Sequence, residues 1–452
     1  MPRLFGTNGV RGVTNQDMDG QLALHLGLAI GTFFEGLIAV GTDTRTSNQM
    51  LKNAAVAGLL ATGCPVVDAG VLPSPALQYY VKKHRCAAGV IVTASHNPPQ
   101  FNGIKVVDGD GTELDPDREE EIESIYFSQT WKPASWDGVG QVTSASPIPD
   151  YIRGVVHQVD GEAIARRRYT VVADCGNGAG CLAYPQLLRR LGCRVITLNA
   201  QPDGTFPGRD AEPTPDNLEL LLSTVGSCGA DLGIAYDGDA DRSIFVDERG
   251  RYVYGDKTLA MMAAHLVRRE GGVVVTPVST SSCVEEMVTE AGGRVAYTRV
   301  GSPIVARAMR EMEATFGGEE NGGLIFPRHQ YCRDGGMASA ALLELMAQRE
   351  EPLSELVAEV PDYALVKSKV ACSHQNKPAV MESFRQRAQN EGLETDTTDG
   401  VKIVAEEGWV LVRPSGTEPI IRIYAQSRQQ RQAEQMASRY REWVEELVAE
   451  KG

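Results

Sequence analysis

Short apolar runs, each ending in a polar turn rich in Gly, Ser and Thr, alternate along most of the chain with stretches whose apolar residues recur at helical spacing. One such unit appears three times. Its first copy is a strand over 38–43, a helix capped by Ser47 and passing through Leu51, Ala55 and Leu59, and a second strand over 64–68 after Gly63. The second copy has a strand over 170–174, a helix through Leu187 and Leu191, and a strand over 193–197 after Gly192. The third has a strand over 273–277, a helix through Val284 and Val288, and a strand over 294–297 after Gly292 and Gly293. These βαβ units predict three similar α/β domains, each on a mixed or parallel sheet.

Beyond residue 362 the pattern changes. Strands are predicted over 364–370, 401–405, 409–413 and 420–426, with a helix after the first. A closing helix carries Met436, Tyr440, Trp443 and Leu447 on one face. This is a small α+β domain. The predicted limits are 1–148, 149–250, 251–361 and 362–452, with 146–149 as a linker, 247–251 as a turn near the second junction and 351–361 as the approach to the third.

The 452 residues carry 44 Lys and Arg against 59 Asp and Glu, a net charge of −15. That balance excludes a non-specific binder of nucleic acid or anionic membrane, which needs a basic field. Any anionic ligand must be held by a local site. The most continuous apolar stretch, 54–67, is too short to span a bilayer, and the N-terminus has no apolar signal core, so a cytoplasmic protein is expected. Nine scattered cysteines without a Cys-x-x-Cys pair read as small buried apolar residues.

Against that background five motifs stand out. Thr93-Ala94-Ser95-His96-Asn97-Pro98-Pro99 follows an apolar strand and presents Ser95 and His96 at its end, either as a site or as a simple turn. No Gly-x-Ser-x-Gly elbow is present, which excludes a serine hydrolase of that type. In Asp237-Gly238-Asp239-Ala240-Asp241-Arg242 three alternate carboxylates can converge on a hard cation such as Mg²⁺. An EF-hand is ruled out, because Arg242 stands where its loop needs Gly and the flanks read as strands. The Gly-rich run 316–326, with Glu319, Glu320 and Asn321, can bind a polyhydroxylated ligand or be a plain hairpin. In Arg413-Pro414-Ser415-Gly416-Thr417-Glu418 and nearby Arg422, two cations flank hydroxyls and free N–H groups, the chemistry of a phosphate dianion site. Arg11, among glycines near the N-terminus, can reach a phosphoryl group or be the commoner surface arginine on a loop. Together these describe phosphoryl chemistry on a hydroxylated small molecule, one loop per domain, in a central cleft. No nucleotide-binding signature accompanies them.

With these four loops in this order, the chain resembles the α-D-phosphohexomutase family over essentially its whole length, in particular its archaeal branch. The resemblance implies a phosphoserine at Ser95 and Mg²⁺ bound by phospho-Ser95, Asp237, Asp239 and Asp241, with Arg242 adding charge beside it. It implies a hexose 1,6-bisphosphate intermediate and activator. Glu319 and Asn321 then bind the sugar, while Arg413, Ser415, Gly416, Thr417 and Arg422 hold the phosphate that is not reacting. Arg11, His96 and Lys105 match positions lining the phosphoserine and are the candidates to assist proton transfer. Gly323 departs from relatives that carry His there, and Asn321 from those with Ser. The implied activity is interconversion of glucosamine 6-phosphate and glucosamine 1-phosphate, where Glu320 is a candidate to favour the ammonium. Broad mannose and glucose phosphate mutase activity, a sugar-phosphate sensor and a phosphatase are the alternatives. The implied partner is a small sugar phosphate, with neither nucleic acid nor membrane.

Overall fold

In the computed structural model, which describes residues 4–6, 8–416 and 418–451, the first strand of each βαβ unit lies inside its own sheet. The first sheet runs in the order Val10–Val13, Phe101–Asp108, Ala88–Val92, Ile38–Thr42, Val66–Val71, Val142–Ser144. Ile38–Thr42 pairs in parallel with both Val66–Val71 and Ala88–Val92, and Phe101–Asp108 returns antiparallel. The second sheet has the order Tyr252–Val253, Ser243–Val246, Leu232–Tyr236, Thr170–Asp174, Arg194–Leu198. The turn 247–251 therefore joins two strands within it. The third sheet is ordered Arg294–Thr298, Val273–Pro277, Phe316–Glu319, Gly323–Phe326, Gln330–Arg333. In both, a parallel pair about the unit's first strand is extended by antiparallel hairpins. The central strands are buried along their whole length, which explains their unbroken apolar runs: helices cover both faces.

The fourth sheet, Ala364–Ala371, Ile420–Ser427, Gly408–Pro414, Val401–Ala405, Glu394–Asp396, is wholly antiparallel. Its last strand is three polar residues and carries no apolar alternation by which to foresee it. Helices Lys377–Asn390 and Gln430–Lys451 pack on the sheet, burying Tyr440, Trp443 and Leu447 with Phe384, and Met436 in part.

The core divides unevenly. One continuous apolar cluster, including Leu77, Tyr151, Leu187, Phe245, Met337 and Phe316, runs through the first three domains. The fourth has its own cluster and meets the third through Val278, Trp409 and Leu411.

Two local expectations are corrected. Ser47 precedes its helix, Asn48–Ala61, but does not cap it. Its Oγ instead accepts from Asn102 Nδ2 at 2.7 Å and Thr14 Oγ1 at 3.2 Å, pinning the helix start to Phe101–Asp108 and to the end of its neighbour Val10–Val13. All nine cysteines are unpaired, and while most are buried, Cys228 is exposed. No helix among the described residues is long and apolar enough to cross a membrane.

Candidate active site

Ser95 sits just beyond the end of Ala88–Val92 with φ of +51°, a left-handed conformation that costs a non-glycine residue free energy. Buried polar contacts hold it there. Its N–H donates to Thr93 Oγ1 at 2.8 Å, whose hydroxyl donates to Asp43 at 2.6 Å. Asp43 also pairs with Arg45 Nε at 3.1 Å, both side chains being fully buried. From that anchor Arg45 Nη2 donates to Ser95 O at 2.9 Å, and Nη1 to Pro98 O and Phe101 O at 2.6 and 2.9 Å. The metal loop presses against this turn: a Cβ on Gly238 would lie 2.4 Å from Ser95 O. Gly238 is glycine because another backbone occupies its side-chain space.

The carboxylate loop turns between Leu232–Tyr236 and Ser243–Val246, with Ala240 at φ +60°. Asp237, Asp239 and Asp241 are all buried and each offers one oxygen, the three lying within 4.8 Å of one another. Their remaining oxygens are tied from outside. Asp237 accepts from Ser95 Oγ at 2.9 Å and from Arg242 N at 3.2 Å. Asp239 Oδ2 accepts from Lys105 Nζ at 2.6 Å and Ser74 Oγ at 2.7 Å. Asp241 Oδ2 accepts from Arg333 Nη2 at 2.7 Å and Lys105 Nζ at 3.3 Å. This leaves Asp239 Oδ1 and Asp241 Oδ1 buried without a hydrogen-bond partner. Burial, then the charges of Asp241 and Asp239, pushes Asp237 up to about 8. Burial works the same way on Asp239, but Lys105 and Ser74 outweigh it and hold Asp239 well below the usual carboxylate range. Orphaned acceptors among repelling carboxylates fit a hard divalent cation.

Besides Arg333, three cations and a histidine surround the loop. Arg11, on Val10–Val13, donates to Asn97 Oδ1 at 3.0 Å and leaves its Nε buried without a partner. Arg242 Nε lies 3.9 Å from both Asp237 Oδ2 and Asp241 Oδ1. Lys105, on Phe101–Asp108, stays firmly charged: burial alone would lower it, and Asp239 and Asp241 outweigh burial. His96 behaves oppositely. Burial, then Arg242 and Arg11, pushes it down to about 2, so the imidazole is neutral. Lys105 is thus charged and His96 neutral, though an imidazole held this low is a weak base.

The sugar-loop run forms a hairpin between Phe316–Glu319 and Gly323–Phe326. Glu319 is buried against Arg333 Nη1 at 3.3 Å, and Asn321 Oδ1 accepts from Gly323 N at 3.1 Å. Glu320 lines the other side of the turn, where Tyr254, Asp256 and Lys367 help enclose a cavity of about 860 Å³. Burial, then Glu320, pushes Asp256 up to about 7. Sequence reasoning missed Arg333 and Ser74, which reach the triad, and Arg45, which reaches the Ser95 turn. None stands in the loop it serves, so no local motif marks them.

The fourth loop stands apart. Arg413 pairs with Asp399 at 3.1 Å and Arg422 with Glu418. Ser415 O accepts from Lys377 Nζ at 2.6 Å, and its Oγ accepts from Glu418 N at 3.1 Å. Gly416 has open space beside it, and Thr417 lies outside the described residues. Arg413 and Gly416 open onto a cavity of about 500 Å³ whose far walls are Phe5 and Leu114 of the first domain and Arg299 and Val300 of the third. None of the polar contacts among described residues ties this loop to Ser95 or the triad.

A serine aimed at orphaned carboxylates, with a separate arginine-flanked turn for a second anion, suits an enzyme that moves a phosphoryl group within one molecule. The class that fold and site define is the phosphohexomutases, enzymes of the isomerase class. Family models for domains I, II and III of the alpha/beta/alpha phosphoglucomutase/phosphomannomutase architecture match residues 2–133, 149–250 and 254–363, and the model of its C-terminal domain matches 355–442. The chain belongs to the phosphoglucomutase/phosphomannomutase family. A phosphoglucomutase/phosphomannomutase of Thermococcus kodakarensis is 44% identical over 440 residues, 96% of each chain. A Methanopyrus kandleri protein named "Probable phosphoglucosamine mutase" is 42% identical over 455 residues, 100% of this chain and 99% of that one. The crystal structure of a family protein from Burkholderia thailandensis superposes with a TM-score of 0.87 at 25% identity, covering 98% of this chain and 97% of the other.

Proposed function

We propose that the protein interconverts glucosamine 6-phosphate and glucosamine 1-phosphate through a phosphoserine at Ser95 and a bound 1,6-bisphosphate. The observation that carries the phosphoryl-transfer reading is Ser95 Oγ, held 2.9 Å from Asp237 beside the two unpartnered oxygens of Asp239 and Asp241. A Mg²⁺ ion bound by these groups supplies positive charge that neutralises the transferring phosphoryl. In the first transfer the Ser95 Oγ–P bond breaks, a bond from phosphorus to the free sugar hydroxyl oxygen forms, and that hydroxyl's proton ends on Ser95 Oγ. His96, next to Ser95 in the chain and with its Nδ1 buried without a hydrogen-bond partner, is the candidate to relay that proton. After the bisphosphate turns over, the reverse exchange at the other phosphate restores phospho-Ser95. Arg11 and Arg242 hold the reacting phosphoryl, Glu319 and Asn321 accept from sugar hydroxyls, and Arg413, Ser415, Gly416, Thr417 and Arg422 grip the idle phosphate.

The amino-sugar preference is supported by the name of the Methanopyrus relative, with the carboxylate of Glu320 as the candidate to favour the ammonium. The name of the Thermococcus relative favours a second reading, a mutase of broad hexose specificity. Purified protein with Mg²⁺ and a trace of hexose 1,6-bisphosphate is offered glucosamine, mannose and glucose 6-phosphates in separate reactions, following each 1-phosphate and free phosphate. A clear lead for glucosamine is expected. Comparable mannose and glucose turnover selects the broad mutase, net phosphate release selects a phosphatase, and no 1-phosphate from any sugar leaves a binder.

A further inference from the structure

Arg333 ends the strand Gln330–Arg333 and has a side chain only 5% exposed, yet it belongs to none of the four loops. Its planar fork spans three domains. Nη2 meets Asp241 Oδ2 at 2.7 Å, Nη1 meets Glu319 Oε2 at 3.3 Å, and Nη2 lies 3.6 Å from Glu113 Oε1 of the first domain. The side chain gets there by passing over Gly323: a Cβ at that position would lie 2.3 Å from Arg333 Cδ. Gly323 thus leaves the space that the arginine side chain occupies.

Resting on the cation reading of the triad, we infer that Arg333 is a positioning residue that orients Asp241 for the cation and ties it to the sugar-binding Glu319. Asp241 Oδ2 is shared between Arg333 and Lys105, which leaves Oδ1 without a hydrogen bond and only a 3.9 Å approach from Arg242 Nε. Ligand carboxylates are commonly held this way by outer partners, whose loss weakens metal binding. An arginine suits the post because one rigid fork serves two carboxylates at fixed angles, which an ammonium on a flexible stem does not do. The contrary account is that Arg333 merely neutralises the acids and competes with the cation. The two accounts predict opposite signs.

Mn²⁺ alone, titrated into the protein and followed by the electron paramagnetic resonance of the free ion, separates them. Arg333→Gln is expected to weaken Mn²⁺ binding by about tenfold or more. Arg333→Lys, which keeps the charge and loses the fork, should resemble it more than the parent. Gly323→Ala keeps the arginine and its charge but displaces the side chain, and should show the same loss even if Arg333→Gln does not fold. Unchanged or tighter binding in these variants overturns the inference. Asp239→Asn marks the other failure: if the parent binds Mn²⁺ no better than this variant, the triad is not a cation site and the reading beneath the inference falls with it.

Discussion

The corner around Ser95 and the arginine turn of the fourth domain are built in different ways. In the corner, Ser95, Lys105, Arg333 and the three aspartates are nearly fully buried, and their bonds cross from domain to domain. In the turn, Arg422 is 37% exposed, Gly416 has open space beside it, and every polar partner of the described residues comes from the same domain. The apolar core divides along the same line. On the proposed function the difference has a reason: reacting atoms need geometry fixed in advance, whereas a grip for either of two phosphates needs room and a domain able to shift. The contrast can be broken at several points.

The largest effect is expected at the nucleophile. Ser95→Ala should lower 1-phosphate formation by about a thousandfold or more while sugar-phosphate affinity, set largely by the arginine turn, stays within about threefold. Turnover by bisphosphate-primed assay and affinity by calorimetry check both halves. Loss of binding alongside turnover would mean that the two regions do not divide the labour.

Adding one methyl group to each region tests the rigidity directly. Gly238→Ala drives a Cβ to 2.4 Å from Ser95 O, between two backbones that cannot yield cheaply. Turnover should fall about a hundredfold, as misplacement by about an ångström does. Gly416→Ala meets nothing within 4 Å and should change turnover by less than about threefold. Equal losses would remove the distinction.

The same contrast governs what could be read from the sequence. The βαβ units were legible because strands buried on both faces leave unbroken apolar runs, as 273–277 does, and helices between them leave a helical period. Glu394–Asp396, an exposed edge strand, leaves no such trace. Ser95, the aspartates and the arginine turn announce themselves because each loop concentrates one chemistry in a few residues. Ser74 and Arg333 do not, since each obeys the register of its own helix or strand, and Arg45 reaches the Ser95 turn from the separate loop after Ile38–Thr42. Ser47 shows the converse: a good helix-capping residue was claimed by Asn102 from a neighbouring strand.

At the turn itself, Arg413→Ala should raise KM for the sugar phosphate by about tenfold or more, the worth of a charge-assisted hydrogen bond of about 1.5–3 kcal/mol, with kcat within about twofold. Steady-state kinetics at saturating bisphosphate test it. A matching fall in kcat would show that the turn positions the reacting end as well.

The smallest effect probes the joint between the two regions. Lys402, on the fourth sheet, donates to Val278 O at 2.9 Å and lies 5.0 and 4.5 Å from the ring centroids of Tyr297 and Trp409. Burial there pushes its ammonium down to about 8, against the weaker opposing pull of Asp396 and Glu285. Because the unfolded chain keeps this proton until near the ordinary lysine value, the unfolded state binds more protons between about pH 8 and pH 10.5. Stability should therefore rise with pH across that window relative to Lys402→Met, by about 1 kcal/mol at pH 9. Urea unfolding of both proteins at pH 7, 8, 9 and 10 measures the difference, and the pairing cancels the other groups that titrate there. Parallel curves would mean that Lys402 is hydrated in solution. The fourth domain would then already hinge away from the third before any sugar phosphate is bound, and the openness of the arginine turn would belong to the domain joint rather than to the loop.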